Sequence, residues 1–174
     1  EHVLTYGPRI SAQYNVTLHD RANLSAVYTW KDSLERDLLD GTAFSANASL
    51  EHTFQPGLSV TAFGGFDRNE TGIKYNSYKE WSGGLGIYEE LPAGFTIDAR
   101  AQAMVSDFDA IHPAIAVAAR KDRRLTGTIE VTKRDFDLFG FAPAVAYTYV
   151  RNRSNVDLYD YDSHTVDFRL TKEF

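Results

Sequence analysis

Histidine is the residue type in this chain with the widest range of possible chemistry. A pair of histidines that binds a metal lies at i, i+2 on a strand or i, i+4 on a helix, and no two histidines have either spacing. Cysteine is absent, which excludes both a thiolate metal site and a disulfide framework. The sequence therefore predicts no metal and no cofactor. The five histidines are His2, His19, His52, His112 and His164.

A hydrolytic triad would need a serine or another nucleophile beside a histidine. His52 lies in the segment "SANASLEHTF", at one of the apolar positions of an alternating pattern. No serine shares that set of positions with it. We predict that the protein is not an enzyme.

The segment "RNRSNVDLYDYD" (151–162) is rich in charged and aromatic residues. Its three aspartates could bind Ca²⁺, but the glycine and final glutamate of an EF-hand are missing. We expect a solvent-facing loop with internal arginine–aspartate pairs, or alternatively tyrosines that contact a partner protein. The candidate extracellular loop residues are Arg151, Arg153, Ser154, Asn155, Tyr159 and Tyr161.

Composition narrows the class of protein. The 174 residues suffice for one domain, 1–174, and the net charge of -6 argues against nucleic acid as a partner. No run of eighteen apolar residues exists, which excludes a transmembrane helix. Aromatic residues make up 13% of the chain. Such a composition suits a sheet with one apolar and one polar face.

Apolar and polar residues alternate along most of the chain, which is the period of a β-strand. In "TAFSANASLEHTF", Phe44, Ala46, Ala48 and Leu50 alternate with small polar residues. The segments "LSVTAFGGF", "GFTIDARAQAMV", "RLTGTIEVTK" and "RISAQYNVTL" repeat the pattern. The alternation predicts an all-β protein with about nine or ten strands.

The connections between these strands alternate between short and long. Short ones include "QPG" and "LPAG", and long ones include "DRNETGIKYNSYKE". This predicts an antiparallel up-and-down sheet, as in outer-membrane β-barrels, whose short turns are periplasmic and long loops extracellular. We expect 32–41, 67–77 and 154–162 on one side of the membrane, and 19–23, 55–57 and 91–94 on the other.

Two arrangements fit this alternation. A soluble barrel or sandwich has its apolar face inside, whereas a transmembrane barrel has it outside against lipid. The apolar positions often hold alanine or glycine in mid-strand, with aromatic residues near strand ends. A soluble core needs larger residues, while lipid fills gaps and interfaces favour aromatics. The pattern favours the antiparallel up-and-down transmembrane β-barrel.

Charged residues at the polar positions are then candidates for the barrel lumen. One interpretation is a lining that selects solutes or grips a translocating chain. The other is a set of mutually neutralising pairs that maintains the shape of the barrel, and the presence of both signs favours it. The lumen-facing candidates are Glu51, Asp98, Arg100, Glu130, Asp167 and Arg169.

The last strand alternates up to a final phenylalanine, Phe174. Such an ending is typical of the closing strand of an outer-membrane barrel. We interpret Phe174 as a signal for the barrel assembly machinery. Lys172 interrupts the apolar positions where a long side chain can extend to lipid headgroups.

Several segments resemble the C-terminal barrel of the surface lipoprotein assembly modifier (Slam) family. They are "RKDRRL", "FGFAPAVAYTYVRNRSN", "LYDYD" and the final Phe174, with "LLDG" and "LPAGFT" upstream, over about residues 38–174. The resemblance implies a barrel of about fourteen strands behind a periplasmic helical domain. This chain would then be the C-terminal portion of a larger protein.

The resemblance also implies a function, which is to assist translocation or surface display of lipoproteins or secreted effector proteins. The implied partners are outer-membrane lipid, the barrel assembly machinery and a client protein, in the outer membrane of a Gram-negative bacterium. Two alternatives remain open at this point. One is a general porin or diffusion channel, and the other is a soluble β-barrel that binds a small apolar ligand.

Overall fold

The computed structural model describes residues 3–33, 38, 40–136 and 141–171. Within these ranges the secondary structure is strands and short 3-10 turns, and no helix is long and apolar enough to cross a membrane. The predicted all-β class is confirmed. The strands are β1 (Val3–Tyr6), β2 (Arg9–Asn15), β3 (Asp20–Ser33), β4 (Gly41–Gln55), β5 (Leu58–Thr71), β6 (Tyr78–Leu91), β7 (Phe95–Phe108), β8 (Lys121–Lys133), β9 (Ala142–Ser154) and β10 (Tyr161–Thr171).

All ten strands belong to one antiparallel sheet. From β3 to β10 each strand pairs with the next in the chain, while β1 and β2 both pair with β3. This is the predicted up-and-down order. Among the described residues no pair joins β10 to β1 or β2, so the sheet is open and corresponds to a segment of an up-and-down barrel.

β1 and β2 act as one edge strand with an interruption at Gly7 and Pro8. Proline has no N–H to donate and is confined to strand edges and irregular positions. Its carbonyl still accepts a hydrogen bond from Tyr28 N at 3.1 Å. A Cβ on Gly7 would lie 2.9 Å from Thr29 Cα, so only glycine allows this close approach. The edge therefore stays paired to β3 on both sides of the interruption.

The register places apolar residues opposite apolar residues, and polar or small residues opposite one another, on neighbouring strands. Ala46 of β4 is opposite Ala26 of β3 and Phe66 of β5, while Asn47 is opposite Ser25 and Gly65. Because side chains on a strand alternate between faces, directly opposed residues share one face. The sheet therefore has one apolar face and one polar face throughout, which we call the apolar face and the polar face.

Short turns and long loops lie at opposite ends of the sheet. Neighbouring turns are bonded to each other, for example through Arg134 N, which donates to Gly94 O at 2.7 Å. The long loops are likewise bonded, through Asp109 N to Ser77 O and Asn155 Nδ2 to Ala119 O, both at 2.9 Å. We call these the turn end and the loop end. Each end is thus a connected structure.

The strands are longer than the sequence pattern predicts. Residues 67–77 were expected in a loop, but β5 continues to Thr71 and its charged residues pair with β6. Likewise most of 19–23 belongs to β3, and the predicted segment 154–162 begins in β9 and ends in β10. Charged side chains suggest a loop, yet the backbone ladder continues beyond the apolar part of the strand. Residues 34–37 and 39, within the predicted segment 32–41, lie outside the described residues.

The predicted roles of Lys172 and Phe174 fall outside the described residues, which end at residue 171. The assembly signal at Phe174 stays a prediction.

Candidate functional site on the polar face

The register brings all six predicted lumen charges to the polar face. Asp98 of β7 is opposite Glu130 of β8, and Glu130 is opposite Ala146 of β9, which is in turn opposite Asp167 of β10. These residues come from strands far apart in the sequence. The full set is Glu51, Asp98, Arg100, Glu130, Asp167 and Arg169. That this face lines a lumen stays a prediction.

Burial is inverted relative to a soluble protein. The buried polar residues Thr96, Ser106, Asp122 and Asn152 lie on the polar face, as do the buried Ala144 and Ala146. The described strands form a single sheet with no second layer above this face, so neighbouring side chains of the same sheet and the adjoining loops bury these residues. Large apolar side chains on the other face are exposed, including Leu24, Phe44, Leu50, Trp81, Leu85, Val105, Leu125, Ile129, Val145, Tyr147, Val166 and Phe168.

Opposite charges pair along the polar face. Arg21 Nη2 lies 2.8 Å from Glu51 Oε1, joining β3 to β4. Arg100 Nε lies 3.0 Å from Asp98 Oδ1, two residues away on β7. Both pairs are partly exposed to solvent, where such contacts contribute at most about 1 kcal/mol each. These contacts agree with the interpretation as neutralising pairs, and they do not exclude a surface that contacts a translocating chain.

A third ion pair crosses an entire strand. Arg169 of β10 lies 2.7 Å from Glu130 of β8, although β9 separates their strands. The residues of β9 beneath this bridge are Ala144 and Ala146, which are opposite Arg169 and Glu130 respectively. Their small side chains leave room for the two long ones to meet. Asp167 forms no ion pair with any residue that the structure describes.

A groove of 590 Å³ lies on the polar face between the Arg21–Glu51 pair and the Asp98–Arg100 pair. Phe63 lies in its wall and was not recognised from the sequence, because one aromatic residue at a polar position resembles an irregularity. A Cβ on Gly84, directly opposite, would lie 2.6 Å from Phe63 Cζ, so the ring lies over the glycine. The residues of the groove are Arg21, Ser49, Glu51, Ser59, Thr61, Phe63, Gly86, Ile87, Tyr88, Asp98 and Arg100.

Two histidines meet at the turn end. His52 Nδ1 lies 2.7 Å from Asp20 Oδ1, and the His19 and His52 rings are 6.5 Å apart. Thr17 Oγ1 donates to the other carboxylate oxygen of Asp20 at 2.5 Å. Within the described ranges no three potential ligands could hold a metal. This arrangement fixes the turn before β3 and does not resemble a nucleophile with its base.

The predicted loop residues are mostly strand residues. Arg151, Arg153 and Ser154 lie in β9, and Tyr161 lies in β10. Arg153 contacts two acids, Asp160 of the loop at 2.8 Å and Asp162 of β10 at 3.2 Å, which are the internal pairs that the sequence predicts.

Asn155 holds the last loop against its neighbour. Its Oδ1 accepts from Lys121 N at 2.7 Å, and its Nδ2 donates to Ala119 O at 2.9 Å. Tyr159 lies on the Arg120 guanidinium, whose carbon is 3.9 Å from its ring centroid and 3.6 Å from that of Phe108. A guanidinium between two aromatic rings is a favourable cation–π arrangement. The sequence did not predict Arg120 and Phe108 as site residues, because their contact forms only where the loop between β9 and β10 meets the loop before β8.

Beneath this loop the polar face holds buried polar atoms without hydrogen-bond partners. Among the described residues these include Asp122 Oδ1, Arg124 Nε and Asn152 Oδ1. Asn152 is 1% exposed and donates through Nδ2 to Tyr159 O at 2.6 Å. Arg124 and Asn152 are directly opposite in the register. This end of the face therefore carries hydrogen-bonding capacity that the protein itself does not use.

Arg68 and Asp109 link β5 to the loop after β7. Arg68 Nη1 and Nη2 donate to the two carboxylate oxygens of Asp109 at 2.7 and 2.6 Å, while Arg68 also contacts Glu70. These hydrogen bonds from Arg68 hold the pKa of Asp109 below its usual value. The bidentate geometry fixes the base of the loop.

Asp109→Asn is expected to lower the free energy of unfolding by about 1 kcal/mol or less at neutral pH. Because the folded pKa of Asp109 is depressed, its stabilisation is present above the unfolded pKa of about 4 and lost as pH falls through the folded pKa. Unfolding of both proteins is followed from pH 7 to pH 3. The difference between them should shrink below about pH 4, and a difference independent of pH would contradict the assignment.

Together, the open antiparallel sheet and its exposed apolar face define the chain as a segment of an up-and-down β-barrel. The model of the family described as "Surface lipoprotein assembly modifier" matches residues 1–174. The chain belongs to this family.

A curated relative is similar over most of the chain. The hemophilin secretion modulator of Acinetobacter baumannii is 32% identical over 140 residues, which cover 78% of this chain and 28% of that protein. The chain therefore spans less than a third of the length of this relative. No solved structure matches the chain.

Proposed function

We propose that this chain is part of a transmembrane β-barrel in the outer membrane of a Gram-negative bacterium. There it assists translocation or surface display of lipoproteins or secreted effector proteins. The observation that carries the proposal is the exposed apolar face of a sheet in a member of the surface lipoprotein assembly modifier family. The relative from A. baumannii, named for secretion of hemophilin, supports a protein as the transported molecule.

The exposed side chains of the apolar face are better suited to contact with lipid hydrocarbon than with water. Leu50, Leu85 and Ile129 lie in the middle parts of their strands and are all more than a third exposed. A soluble barrel would pack these side chains into its interior, whereas in this sheet they are exposed. Lipid removes them from water without a protein core.

The polar face has the chemistry to contact an extended polypeptide. A peptide bond offers one donor and one acceptor. The groove between Arg21 and Arg100 offers both kinds of partner, as do the unpaired atoms of Arg124 and Asn152 at the loop end. We infer that the lumen charges contact a client chain in addition to neutralising each other.

A polar face also suits the alternative of a general diffusion channel, which passes small solutes. Conductance in a planar bilayer separates the two. A porin shows a stable open conductance alone, whereas a protein translocator is expected to remain mostly closed without its client.

The function is tested in cells that lack the gene and carry either the wild-type full-length protein or its Asp98→Asn, Arg100→Gln variant. This variant removes one ion pair but leaves the net charge unchanged. Proteins exposed on intact cells or released to the medium are measured by surface proteolysis and mass spectrometry. Deletion should deplete a small set of lipoproteins or secreted proteins, and the wild-type gene should restore them.

The variant should fold normally, because an exposed pair is worth about 1 kcal/mol or less, but restore the set several-fold less well. Normal restoration would leave this pair with a structural role alone. An unchanged surface and secreted proteome after gene deletion would refute the proposed function.

A further inference from the structure

Charged side chains mark the boundaries of the apolar face at both ends of β8. On β8, Arg123 and Lys133 lie on the apolar face and flank residues 124–132. The outward residues between them are Leu125, Gly127, Ile129 and Val131. A tilted transmembrane strand needs about 9–11 residues, so this stretch matches the hydrocarbon thickness. Arg123 then lies at the level of the lipid headgroups.

Three arginines of two neighbouring strands meet at this boundary. Arg123 of β8 is directly opposite Arg153 of β9, and Arg151 of β9 is opposite Leu125. All three lie on the same face. Like charges directly opposite across a sheet destabilise it. The cluster therefore requires a source of negative charge.

The acidic residues nearby supply only part of that charge. Asp160 and Asp162 both contact Arg153, and Asp107 lies 3.6 Å from Lys121 Nζ. Arg123 and Arg151 are exposed and form no ion pair or hydrogen bond with any described residue. Three guanidinium groups with two carboxylates leave a surplus positive charge. The N–H donors of Arg123 and Arg151 remain without an acceptor among the described residues.

Apolar and aromatic side chains continue directly below the arginines. Leu125 and Tyr147 are exposed on the same face, and Tyr149 lies between the levels of Arg151 and Tyr147. Tyrosine and tryptophan prefer this interfacial depth in barrels. A ligand that fits such a surface has an anionic group above and an alkyl chain below. A free anion would use the arginines but not the residues beneath them.

We propose that Arg123 and Arg151, with Arg153 beside them, bind the phosphate group of an anionic lipid headgroup at the loop end of the apolar face. Guanidinium groups bind phosphate in a bidentate manner, and basic clusters at membrane boundaries recognise lipid headgroups in this way. The proposal rests on the membrane arrangement proposed above.

The test uses the full-length protein purified in neutral detergent and diphosphorylated lipid A as the probe. Bound lipid is measured by native mass spectrometry, with dephosphorylated lipid A as the headgroup control. The Arg123→Gln, Arg151→Gln variant should bind the phosphorylated lipid at least about tenfold more weakly, a factor equal to about 1.4 kcal/mol. The Arg123→Lys, Arg151→Lys variant keeps the positive charge but loses the bidentate guanidinium. Its affinity should therefore fall between those of the wild type and the glutamine variant.

The matched control is Arg21→Gln, Arg100→Gln, which removes two positive charges from the polar face and should bind like the wild type. Equal weakening by this control, or equal binding by the Arg123 and Arg151 variant, would overturn the proposal. Displacement of the lipid by inorganic phosphate would indicate a free-anion site and would also overturn it. Insertion is measured separately by heat-modifiable migration in gels. Failure of the wild-type protein to insert would refute the proposed function. An inserted Arg123→Gln, Arg151→Gln variant with unchanged affinity would refute only the lipid site.

Discussion

Leu50→Arg is expected to lower the free energy of unfolding of the membrane-inserted protein by about 2–4 kcal/mol. Leu50 lies on the apolar face of β4, 48% exposed and opposite Ala22 and Ala62. In the proposed arrangement its environment is hydrocarbon, where a guanidinium loses its hydration. The full-length protein is unfolded with urea from phospholipid vesicles, and tryptophan fluorescence reports the transition.

Ser49→Arg is the matched control, because Ser49 is the preceding residue and faces the opposite side. Ser49 lines the groove near Glu51 and accepts a hydrogen bond from Asn23 Nδ2 at 3.2 Å. The new arginine cannot accept that hydrogen bond, but its guanidinium can reach Glu51 in a partly exposed groove, so the expected cost is about 1 kcal/mol or less. Equal destabilisation by both substitutions would show that the faces are wrongly assigned. Thr96 would be a poorer control, because it is only 7% exposed.

The faces of the strands were predictable because their signal is local. In β4, Phe44, Ala46, Ala48 and Leu50 occupy one set of alternating positions, and the observed register retains them on one face. A period of two requires no knowledge of the partner strand. The up-and-down order followed from the same local information, namely the alternation of short and long connections.

The lengths of the strands were less predictable. Asp67, Arg68 and Asn69 have a composition typical of a loop, yet they pair with Glu80, Lys79 and Tyr78. A strand that extends beyond a membrane needs no apolar residues, because water solvates both of its faces. In the proposed arrangement, the hydrophobic pattern therefore measures the part of a strand that contacts lipid, not the whole ladder.

Contacts between distant strands could not be predicted. The pair of Arg169 and Glu130 depends on two registers and on the small side chains of β9 between them. Phe63 lies at a polar position, and the glycine that accommodates it belongs to the next strand. Arg120 pairs with Phe108 and Tyr159 only because two loops meet. Each of these features requires the fold before the contact can be recognised.

The two ends of the sheet are expected to react oppositely with a membrane-impermeant maleimide. Val117 lies in the long loop before β8 and Leu18 in the short turn before β3, and both are 100% exposed. In intact cells that produce the full-length protein, a Val117→Cys variant should be labelled, because long loops of outer-membrane barrels are extracellular. A Leu18→Cys variant should be labelled only after the outer membrane is permeabilised.

Equal exposure of these two residues makes them a matched pair, so a difference in labelling reports the side of the membrane and not local burial. The native chain has no cysteine, which removes background from this segment. Gly57 is a poorer position at the turn end, because its φ is +81° and a Cβ there would lie 2.9 Å from Glu90 Cβ. Labelling of Leu18→Cys in intact cells, with Val117→Cys protected, would reverse the orientation. It would also move the arginine cluster of Arg123 and Arg151 to the periplasmic leaflet, since that cluster lies at the same end of the sheet as Val117.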